Sequence, residues 1–328
     1  MSGMREKRLK IDPRIESSSA HLYSRTINGE RCFTQREKTK LLSLIRQAAD
    51  FCGLQLFTHA EMINHPHLLA HNPRWEKDPD DAELLRRYRV LHPGRQTKYR
   101  SKNVEVIEAH LKANTEEGIE WRRRQIAQMG DFSQFMKIVK QLFTAWFNRL
   151  HRRTGTIWGG RFKSVLVEEN SNALRTMAVY IDLNPVRAGV VHDPKDYGHS
   201  GYGEAVAGDA LARRGIMQLM EAPTWEQAQA EYRKLLYAVG TKGKGRTLSI
   251  EEFEKVVSEG GKLSLVETLH CRIRRFTDSV VFGSTEFVAK HLENFVRDNQ
   301  RKRAGRPRPM PPVTDWGGLA TLRGLRQP

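Results

Sequence analysis

Cysteine is scarce in this sequence, and long apolar runs are missing. The three cysteines, Cys32, Cys52 and Cys271, have no paired spacing, which argues against a disulfide framework and against a cysteine-based zinc site. The apolar runs are much shorter than the ~20 residues that cross a bilayer. No apolar segment follows the charged start MSGMREKRLK, so no secretion signal is expected. We therefore expect a globular, cytoplasmic protein that does not enter the membrane.

Acidic residues are too few to balance the basic ones. Lysine and arginine number 55 against 38 aspartates and glutamates, which gives a formal net charge of +17. A surplus of this size attracts polyanions and releases their counterions on binding, so nucleic acid is the expected partner. Simple solubility is the alternative explanation. An anionic membrane surface is less favoured, because no basic amphipathic helix with an aromatic face stands out.

The order of the predicted elements indicates an α+β fold. A strand over 21–27 is followed by a helix that opens at the capping box of Thr34 and Glu37 and stops at Gly53. The segments LQLFTHA and EMINHPHLLAH read as two more strands, and a helix, a strand and a helix follow after an interruption. This order is compatible with a split ferredoxin-like antiparallel sheet with helices on one face, in a domain over 14–200.

The remaining segments differ from this domain in composition. Charged helical stretches over 74–132 predict a helical insertion. Residues 222–298 predict a small all-helical domain, whose helices from 264 to 296 could form a helix-turn-helix unit. The stretch 299–328 is basic and proline-rich and predicts a disordered tail. Three capping boxes carry the helical prediction, namely Thr224/Gln227, Ser249/Glu252 and Ser264/Glu267.

Two histidines flank a proline in the segment NHPHLL. On an extended strand, side chains two apart share a face, so His65 and His67 would present two imidazoles to one point in space. Two such nitrogens suit a divalent metal. A pair of ordinary core or surface histidines is the alternative. With His59 and His71 nearby, a zinc-dependent hydrolase that uses all four histidines also stays open.

The segment YIDLNPVRAG, residues 180–189, offers a nucleophile. A tyrosine phenolate at Tyr180 can attack a phosphodiester and expel a hydroxyl, and a metal at the histidine pair would assist because the reference pKa of tyrosine is about 10. Asn184 follows four positions later and is a candidate third ligand. The alternative is a half-buried aromatic followed by a capped helix start at Asn184 and Pro185.

These two segments carry a resemblance to a known family. HPH, with EMIN before it and LLA after it, resembles the histidine-hydrophobic-histidine motif of the HUH endonucleases. YIDLNPVRAG resembles the tyrosine-helix signature of single-tyrosine HUH transposases. Together with TGTIWGGRFKS, they resemble the REP-associated tyrosine transposases over about residues 23 to 191.

The resemblance implies a specific activity. His65, His67 and Asn184 would bind Mg²⁺ or Mn²⁺, and Tyr180 would be the nucleophile. The substrate would be single-stranded DNA presented by a hairpin or palindromic repeat. Cleavage would leave a 5′ phosphate on the tyrosine and a 3′ hydroxyl, so the bond energy is kept for strand transfer. The sequence leaves open a monomer or a homodimer, and therefore whether the tyrosine serves the histidines of its own chain.

Pro66 departs from the family pattern, which has a bulky apolar residue between the histidines. Proline has no amide donor, so it removes a ladder hydrogen bond from a central strand. We expect a local bulge or an unpaired position there. A DNA-binding protein of the same fold that no longer cuts is the corresponding alternative function.

Basic residues near the tyrosine predict a DNA-binding strip. Arginines at the end of one helix and cations on the next strand would contact phosphates, and a tryptophan between them could stack on an unpaired base or be a core aromatic. The predicted residues are Arg149, Arg152, Arg153, Trp158, Arg161 and Lys163.

Overall fold

A computed structural model describes residues 8–92, 104–237, 275–298, 306–310 and 316–323. The strands are β1 (Ser18–Tyr23), β2 (Gln55–Glu61), β3 (Pro66–Asn72), β4 (Lys163–Val167), β5 (Ser279–Ser284), β6 (Arg308–Pro309) and β7 (Leu319–Arg323). The helices are α1 (Gln35–Cys52), α2 (Asp81–Leu91), α3 (Val104–Lys112), α4 (Glu116–Ile126), α5 (Phe132–His151), α6 (Ser171–Asp182), α7 (Asn184–Arg187), α8 (Gly201–Val206), α9 (Ala210–Met220), α10 (Trp225–Tyr237), α11 (Arg275–Asp278) and α12 (Thr285–Asp298). In the part of the chain described, no helix combines the length and hydropathy that a membrane crossing needs.

The strands form one mixed sheet in the order β2-β3-β1-β4-β5-β7-β6. The first four strands of this order pair antiparallel, as the sequence predicted, and β4 then pairs parallel with β5. The α+β class is confirmed. The sheet is larger than expected, because three of its strands come from the C-terminal part of the chain.

Alternation along β1 separates two cores. Ala20 and Leu22 belong to a cluster with residues of α1 and α5, such as Ile45 and Phe143. Val165 and Leu69, which face the other side, pack with residues of α6, α9 and α10. Helices therefore cover both faces of the sheet, which corrects the prediction of one covered face.

Helix α1 follows its sequence signals closely. Thr34 and Glu37 form the capping box, and Gly53 ends the helix in the left-handed region at φ 72°, where glycine carries no steric penalty. Leu41 and Ile45 on its apolar stripe are fully buried against the sheet. Helix α1 covers the face of β1 that carries Ala20 and Leu22. Because side chains alternate along a strand, His21 between them points to the opposite face of the sheet.

The described part of the segment over 74–132 contains α2, which packs on α1, and α3 and α4, which pack on α2 and on each other. Leu84, Tyr88 and Trp121 belong to the same core cluster as the apolar face of α1. Salt bridges such as Arg86 to Asp50 at 2.7 Å tie its charged surface to the body of the protein. These helices share a core with the residues before and after them.

The C-terminal segments differ from their prediction. The stretch over 222–298 is not all helical, because β5 lies within it, and the tail contributes β6 and β7. Val281 and Phe282 on β5 are fully buried, and α12 covers the outer strands with Val288 and Leu292. Pairing between strands that are distant in sequence leaves no local signal, so composition alone pointed to helices and a tail. The capping boxes of Ser249/Glu252 and Ser264/Glu267 lie outside the described residues.

Candidate active site

The two histidines lie side by side at the start of β3. His65 is the residue before the strand, and His67 is its second residue. Their ring centroids are 4.8 Å apart, with the ring planes at 76°. His67 is buried and His65 is half-buried. The spacing of two therefore does bring both imidazoles to one place.

Pro66 begins β3 and causes little disturbance. It pairs with Glu61 on β2, whereas the pairing of β3 with β1 stops at His67. The missing amide donor therefore costs no bond to β1, as is usual for proline at the first position of a strand. The register shift between β2 and β3 lies at Leu56 and Thr58. Pro66 is therefore paired on the side of β2 and unpaired only on the side of β1, with no bulge at this position.

His21 of β1 fixes the protonation of His67. The Nδ1 atom of His21 lies 2.9 Å from the carbonyl oxygen of Phe276, and its Nε2 atom lies 2.8 Å from Nδ1 of His67. A carbonyl only accepts, so His21 donates from Nδ1 and accepts at Nε2, and His67 must donate from its own Nδ1. The lone pair of His67 is thereby placed on Nε2.

Asn64 does the same for His65. Its amide nitrogen donates to the carbonyl oxygen of Gly29 at 2.9 Å, so its Oδ1 atom is the acceptor that faces Nδ1 of His65 at 2.5 Å. His65 therefore donates from Nδ1 and carries its lone pair on Nε2. Both histidines have the tautomer that a metal-ligating imidazole needs.

The electrostatic surroundings keep the imidazoles of His67 and His21 neutral. Burial lowers the pKa of His67 well below its usual value, and the nearby His65, His21, Arg187 and Arg25 lower it further. Burial also lowers the pKa of His21 to about 4, against the opposing hydrogen bond to the Phe276 carbonyl. At neutral pH both rings therefore offer a lone pair rather than a positive charge.

Tyr180 of α6 lies beside this pair in the same chain. Its ring centroid is 6.4 Å from that of His67 and 6.2 Å from that of His21, edge-on in both cases. The ring of Phe276 packs against it at 4.5 Å. Tyr180 is 3% exposed. Helix α6 therefore brings the tyrosine and the histidines of one chain to the same face of the sheet.

Arg187 of α7 places a positive charge over the tyrosine. Its guanidinium carbon lies 4.2 Å from the ring centroid of Tyr180, and it donates a hydrogen bond to the carbonyl oxygen of the same residue. A cation in this position is attracted by the ring. It also favours any negative charge that develops on the phenol oxygen.

Asn184 lies one turn after the tyrosine but points back along the helix. Its amide nitrogen donates to the carbonyl oxygens of Ile181 at 3.1 Å and of Tyr180 at 3.4 Å. Among the residues that the structure describes, no group of three histidine, cysteine or acidic side chains could hold a metal. The assignment of Asn184 as third ligand stays a prediction.

Asp182 anchors the helix that carries the tyrosine. Its buried carboxylate accepts hydrogen bonds from the hydroxyls of Thr58 at 2.8 Å and Tyr232 at 2.6 Å, and from the amide of Tyr202 at 3.2 Å. Burial raises the pKa of Asp182 to about 6, although these hydrogen bonds oppose the rise. The end of α6 is thus tied to β2, α8 and α10 through one acidic side chain.

Asp182 should make stability depend on pH. Because its pKa rises from 3.8 in the unfolded chain to about 6 in the fold, its contribution to stability is greatest below pH 4 and is lost as the pH rises towards 6. The difference corresponds to about 3 kcal/mol. We expect Asp182→Asn to lack this loss, so that its stability relative to the wild type improves by about that amount between pH 4 and pH 7. Urea unfolding across this range, with the exposed Asp196→Asn as control, measures it; a constant difference would contradict the prediction.

Tyr23 and Lys163 extend the site along the sheet. Tyr23 pairs with His67 on one side and with Lys163 on the other. Its ring stacks on His67 at 5.4 Å, and its hydroxyl donates to the carbonyl oxygen of Thr277 at 3.2 Å. The Lys163 ammonium lies 5.4 Å from the Tyr23 ring centroid and 3.1 Å from Asp278. A cation predicted to bind DNA is therefore next to the histidines.

Four other predicted DNA-binding residues lie at the end of α5 and in the loop before β4. Arg149, Arg152 and Arg161 are exposed, and Arg153 forms an ion pair with Glu30 at 3.6 Å. Their role in binding DNA stays a prediction.

Trp158 belongs to the core. It is 4% exposed, and its indole nitrogen donates to the hydroxyl of Thr144 at 3.0 Å and to the carbonyl oxygen of Lys140 at 3.3 Å. Its ring packs against Phe33 and Phe143. Because the ring is buried, it is not available to stack on a base, which corrects that prediction.

The four histidines of the zinc alternative do not converge. The two ring nitrogens of His59 lie 3.0 Å from Glu61 and 3.2 Å from Glu204, and His71 lies 2.7 Å from Glu169. His59 pairs with Leu68, whose side chain belongs to the opposite core. Strand alternation therefore separates His59 from His67.

Three residues of this cluster were not predicted from the sequence. His21, Tyr23 and Phe276 have no motif around them, and Phe276 lies 255 positions after the histidine that it contacts. A signal for His21 and Tyr23 exists only once β1 is paired with β3, because their spacing of two then places both on the face of His67. That His21 and Tyr23 share a face with His67 follows from the register of β1 and β3, and not from the local sequence.

Comparisons with known proteins find likeness only among solved structures. No family model matches the chain, and no curated protein matches it. Four solved chains are similar to it, and one structure is described here. That structure is described as a REP-associated tyrosine transposase bound to a REP hairpin, and the alignment covers 63% of this chain and 87% of that one, with a TM-score of 0.40 and 16% identity.

Proposed function

We propose that the protein cuts and rejoins single-stranded DNA through a covalent link between Tyr180 and a 5′ phosphate. One observation carries the proposal: the Tyr180 ring lies 6.4 Å from that of His67, within one chain, and both belong to a strongly basic protein. The substrate would be single-stranded DNA next to a hairpin or palindromic repeat, and the reaction would be strand transfer of the transposase type.

The histidine pair fits a divalent cation. Both imidazoles donate from Nδ1 to fixed acceptors, so His65 and His67 would hold the ion through Nε2. Imidazole suits Mn²⁺ and other transition metals better than Mg²⁺, which prefers oxygen ligands, so we expect Mn²⁺ to bind more tightly than Mg²⁺. When bound, the ion would neutralise charge on the phosphate and orient it for attack.

The chain's own residues account for the bond changes. The oxygen of Tyr180 forms a bond to phosphorus, and the bond from phosphorus to the 3′ oxygen breaks. The phenol gives up one proton and the departing 3′ oxygen takes up one, so the step needs no nucleotide and no oxidant. Arg187, which lies over the phenol ring, favours the phenolate and can pair with a phosphate oxygen.

Substrate can reach the tyrosine only if a covering segment moves. Tyr180 and His67 are each 3% exposed, and residues 276–278 lie over them. The Phe276 ring contacts Tyr180, Thr277 accepts from Tyr23, and Asp278 pairs with Lys163. DNA entry therefore requires these few contacts to open, and the phosphate can replace Asp278 as the partner of Lys163.

A row of cations lies around the start of β4, next to Lys163. Lys140 donates to the carbonyl oxygen of Gly160 and Arg8 to that of Phe162, both at 2.6 Å, so they flank Arg161. Burial lowers the pKa of Lys140 to about 8, and the positive charge of Arg8 adds to the effect. Lys163 follows directly in β4. A DNA backbone along this row would relieve the repulsion and reach the site.

This row should determine how DNA binding responds to salt. We expect the double variant Lys140→Gln with Arg161→Gln to weaken binding of a single-stranded oligonucleotide. The slope of log affinity against log salt should fall by about 0.7 for each lost phosphate contact. The control is Arg123→Gln with Arg124→Gln, which removes the same charge from exposed residues paired with Glu120. Fluorescence anisotropy at several salt concentrations measures both; equal slopes in the two variants would contradict the prediction.

The direct test of the function is a covalent-adduct assay. The protein is incubated with Mn²⁺ or Mg²⁺ and an oligonucleotide whose hairpin is preceded by a short single strand, so that cleavage releases the short 5′ piece with its 3′ hydroxyl and leaves the rest on the protein. A denaturing gel should show a protein–DNA adduct, and peptide mass spectrometry should place the nucleotide on Tyr180. Cleavage products with free 5′ phosphates and no adduct would favour a hydrolase and overturn the proposal. Because the target sequence is unknown, a library of hairpins with random flanks is used.

A further inference from the structure

We infer that His21 is a positioning residue for the metal site. This inference rests on the proposed function and adds a residue that neither motif contains. Its basis is the chain of hydrogen bonds from His67 to His21 and from His21 to the carbonyl oxygen of Phe276, with lengths of 2.8 and 2.9 Å.

These two hydrogen bonds can be donated in one direction only, from His67 to His21 and from His21 to Phe276. The Phe276 carbonyl cannot donate, so it requires the proton of His21 to be on Nδ1. That leaves Nε2 of His21 as an acceptor, which in turn requires the proton of His67 to be on Nδ1. The backbone carbonyl of Phe276 therefore sets, through His21, the tautomer that directs Nε2 of His67 towards a ligand. We call this pair of hydrogen bonds the His21 relay.

Burial makes this constraint strict. His21 is fully buried and His67 is 3% exposed, so water does not offer either ring an alternative partner. The two rings stack with centroids 5.0 Å apart, which holds the orientation of His67 as well as its proton. Side chains that hold a ligating histidine in this way typically change metal affinity 10- to 100-fold when they are replaced.

Metal affinity, measured without DNA, tests the inference. Mn²⁺ is titrated into the wild type, His21→Leu and His21→Gln, and free Mn²⁺ is followed by electron paramagnetic resonance. We expect His21→Leu, which cannot accept, to bind at least about 10-fold more weakly. His21→Gln, whose amide can accept from His67 and donate to Phe276, should recover most of the affinity. Circular dichroism and thermal melting establish that both variants fold.

The tautomer supplies a second readout that does not need a metal. Long-range ¹H–¹⁵N spectra of the histidine side chains should show His67 protonated on Nδ1 in the wild type and in His21→Gln. In His21→Leu the proton should redistribute between the two nitrogens. Such a change is not expected from a residue that only fills space.

The outcomes separate this inference from the proposed function. If the wild type binds Mn²⁺ and His21→Leu binds it equally well with an unchanged tautomer, the positioning role is overturned while the nuclease proposal stands. If His67 carries its proton on Nε2 in the wild type, the relay is overturned directly. If the wild type binds no Mn²⁺ but has the Nδ1 tautomer of His67, the relay stands and the metal-dependent function fails.

Discussion

Replacing Tyr180 by phenylalanine is expected to abolish the covalent protein–DNA adduct. The change removes only the phenol oxygen, so the ring can keep its packing against Phe276 and under Arg187. Loss of a nucleophile lowers the rate by at least about a thousandfold, whereas DNA binding should stay within about threefold because it depends on cations elsewhere. The adduct assay and anisotropy with the same oligonucleotide measure the two effects.

Tyr23 provides a matched control for this experiment. Its ring is 5.4 Å from that of His67, closer than the ring of Tyr180, but it stacks on the imidazole and its hydroxyl is bonded to Thr277. We therefore expect Tyr23→Phe to form the adduct at a rate similar to the wild type. If Tyr23→Phe loses the adduct and Tyr180→Phe keeps it, the nucleophile has been assigned to the wrong tyrosine.

Replacing His67 by alanine should remove metal-dependent cleavage. His67 is the more buried of the two histidines and is held by His21, so its loss takes away one of two ligands and leaves the His21 acceptor without its donor. We expect the rate to fall about a thousandfold or more at saturating Mn²⁺, and added metal should not restore it. Rates are measured over a Mn²⁺ titration with the same oligonucleotide.

His71→Ala is the control for His67→Ala. It lies on the same strand four residues later, and its partners are Ser19 and Glu169 rather than the residues around Tyr180. We expect it to keep both cleavage and its metal dependence. His65→Ala, at a half-buried position, should reproduce the loss with a smaller effect on folding. Full cleavage by both His65→Ala and His67→Ala would show that the histidine pair does not hold the ion.

A protein of this fold that binds DNA without cutting it would give a different pattern. The wild type would bind the oligonucleotide, with the salt response expected from the cation row, but would form no adduct with any metal. The departure at Pro66 first suggested this alternative. However, Pro66 stands at the first position of its strand and costs no hydrogen bond to β1, so the proline itself gives no structural reason for inactivity.

Local signals in the sequence predicted the parts of the structure that depend on neighbouring residues. The capping box at Thr34 and the glycine at Gly53 gave the bounds of α1 because the hydrogen bonds that cap a helix end are made within a few positions. In the same way, the spacing of two gave the common location of His65 and His67. That Tyr180 would approach them came from the family resemblance, and not from any local rule.

The parts that depend on distant pairing were missed. Strand β5 pairs parallel with β4 more than 100 positions earlier, and such pairing is selected by the rest of the core rather than by local propensity. The basic, proline-rich composition of the tail predicts disorder, yet β7 buries Ala320 and Leu322. For Trp158 the sequence left both base stacking and a core role open, because an aromatic residue beside arginines looks the same in sequence whether it is buried or exposed; the structure has the core role.

The carbonyl of Phe276 has a consequence for the order of events during synthesis. A ribosome adds about 5–20 residues per second, so a nascent chain carries its N-terminal cations and both ligand histidines for many seconds before residue 276 is made. Over that time it could associate with nucleic acid, but the His21 relay and the packing around Tyr180 would be incomplete. Competence to cut would therefore arise only after residue 276 has been translated, long after the two histidines.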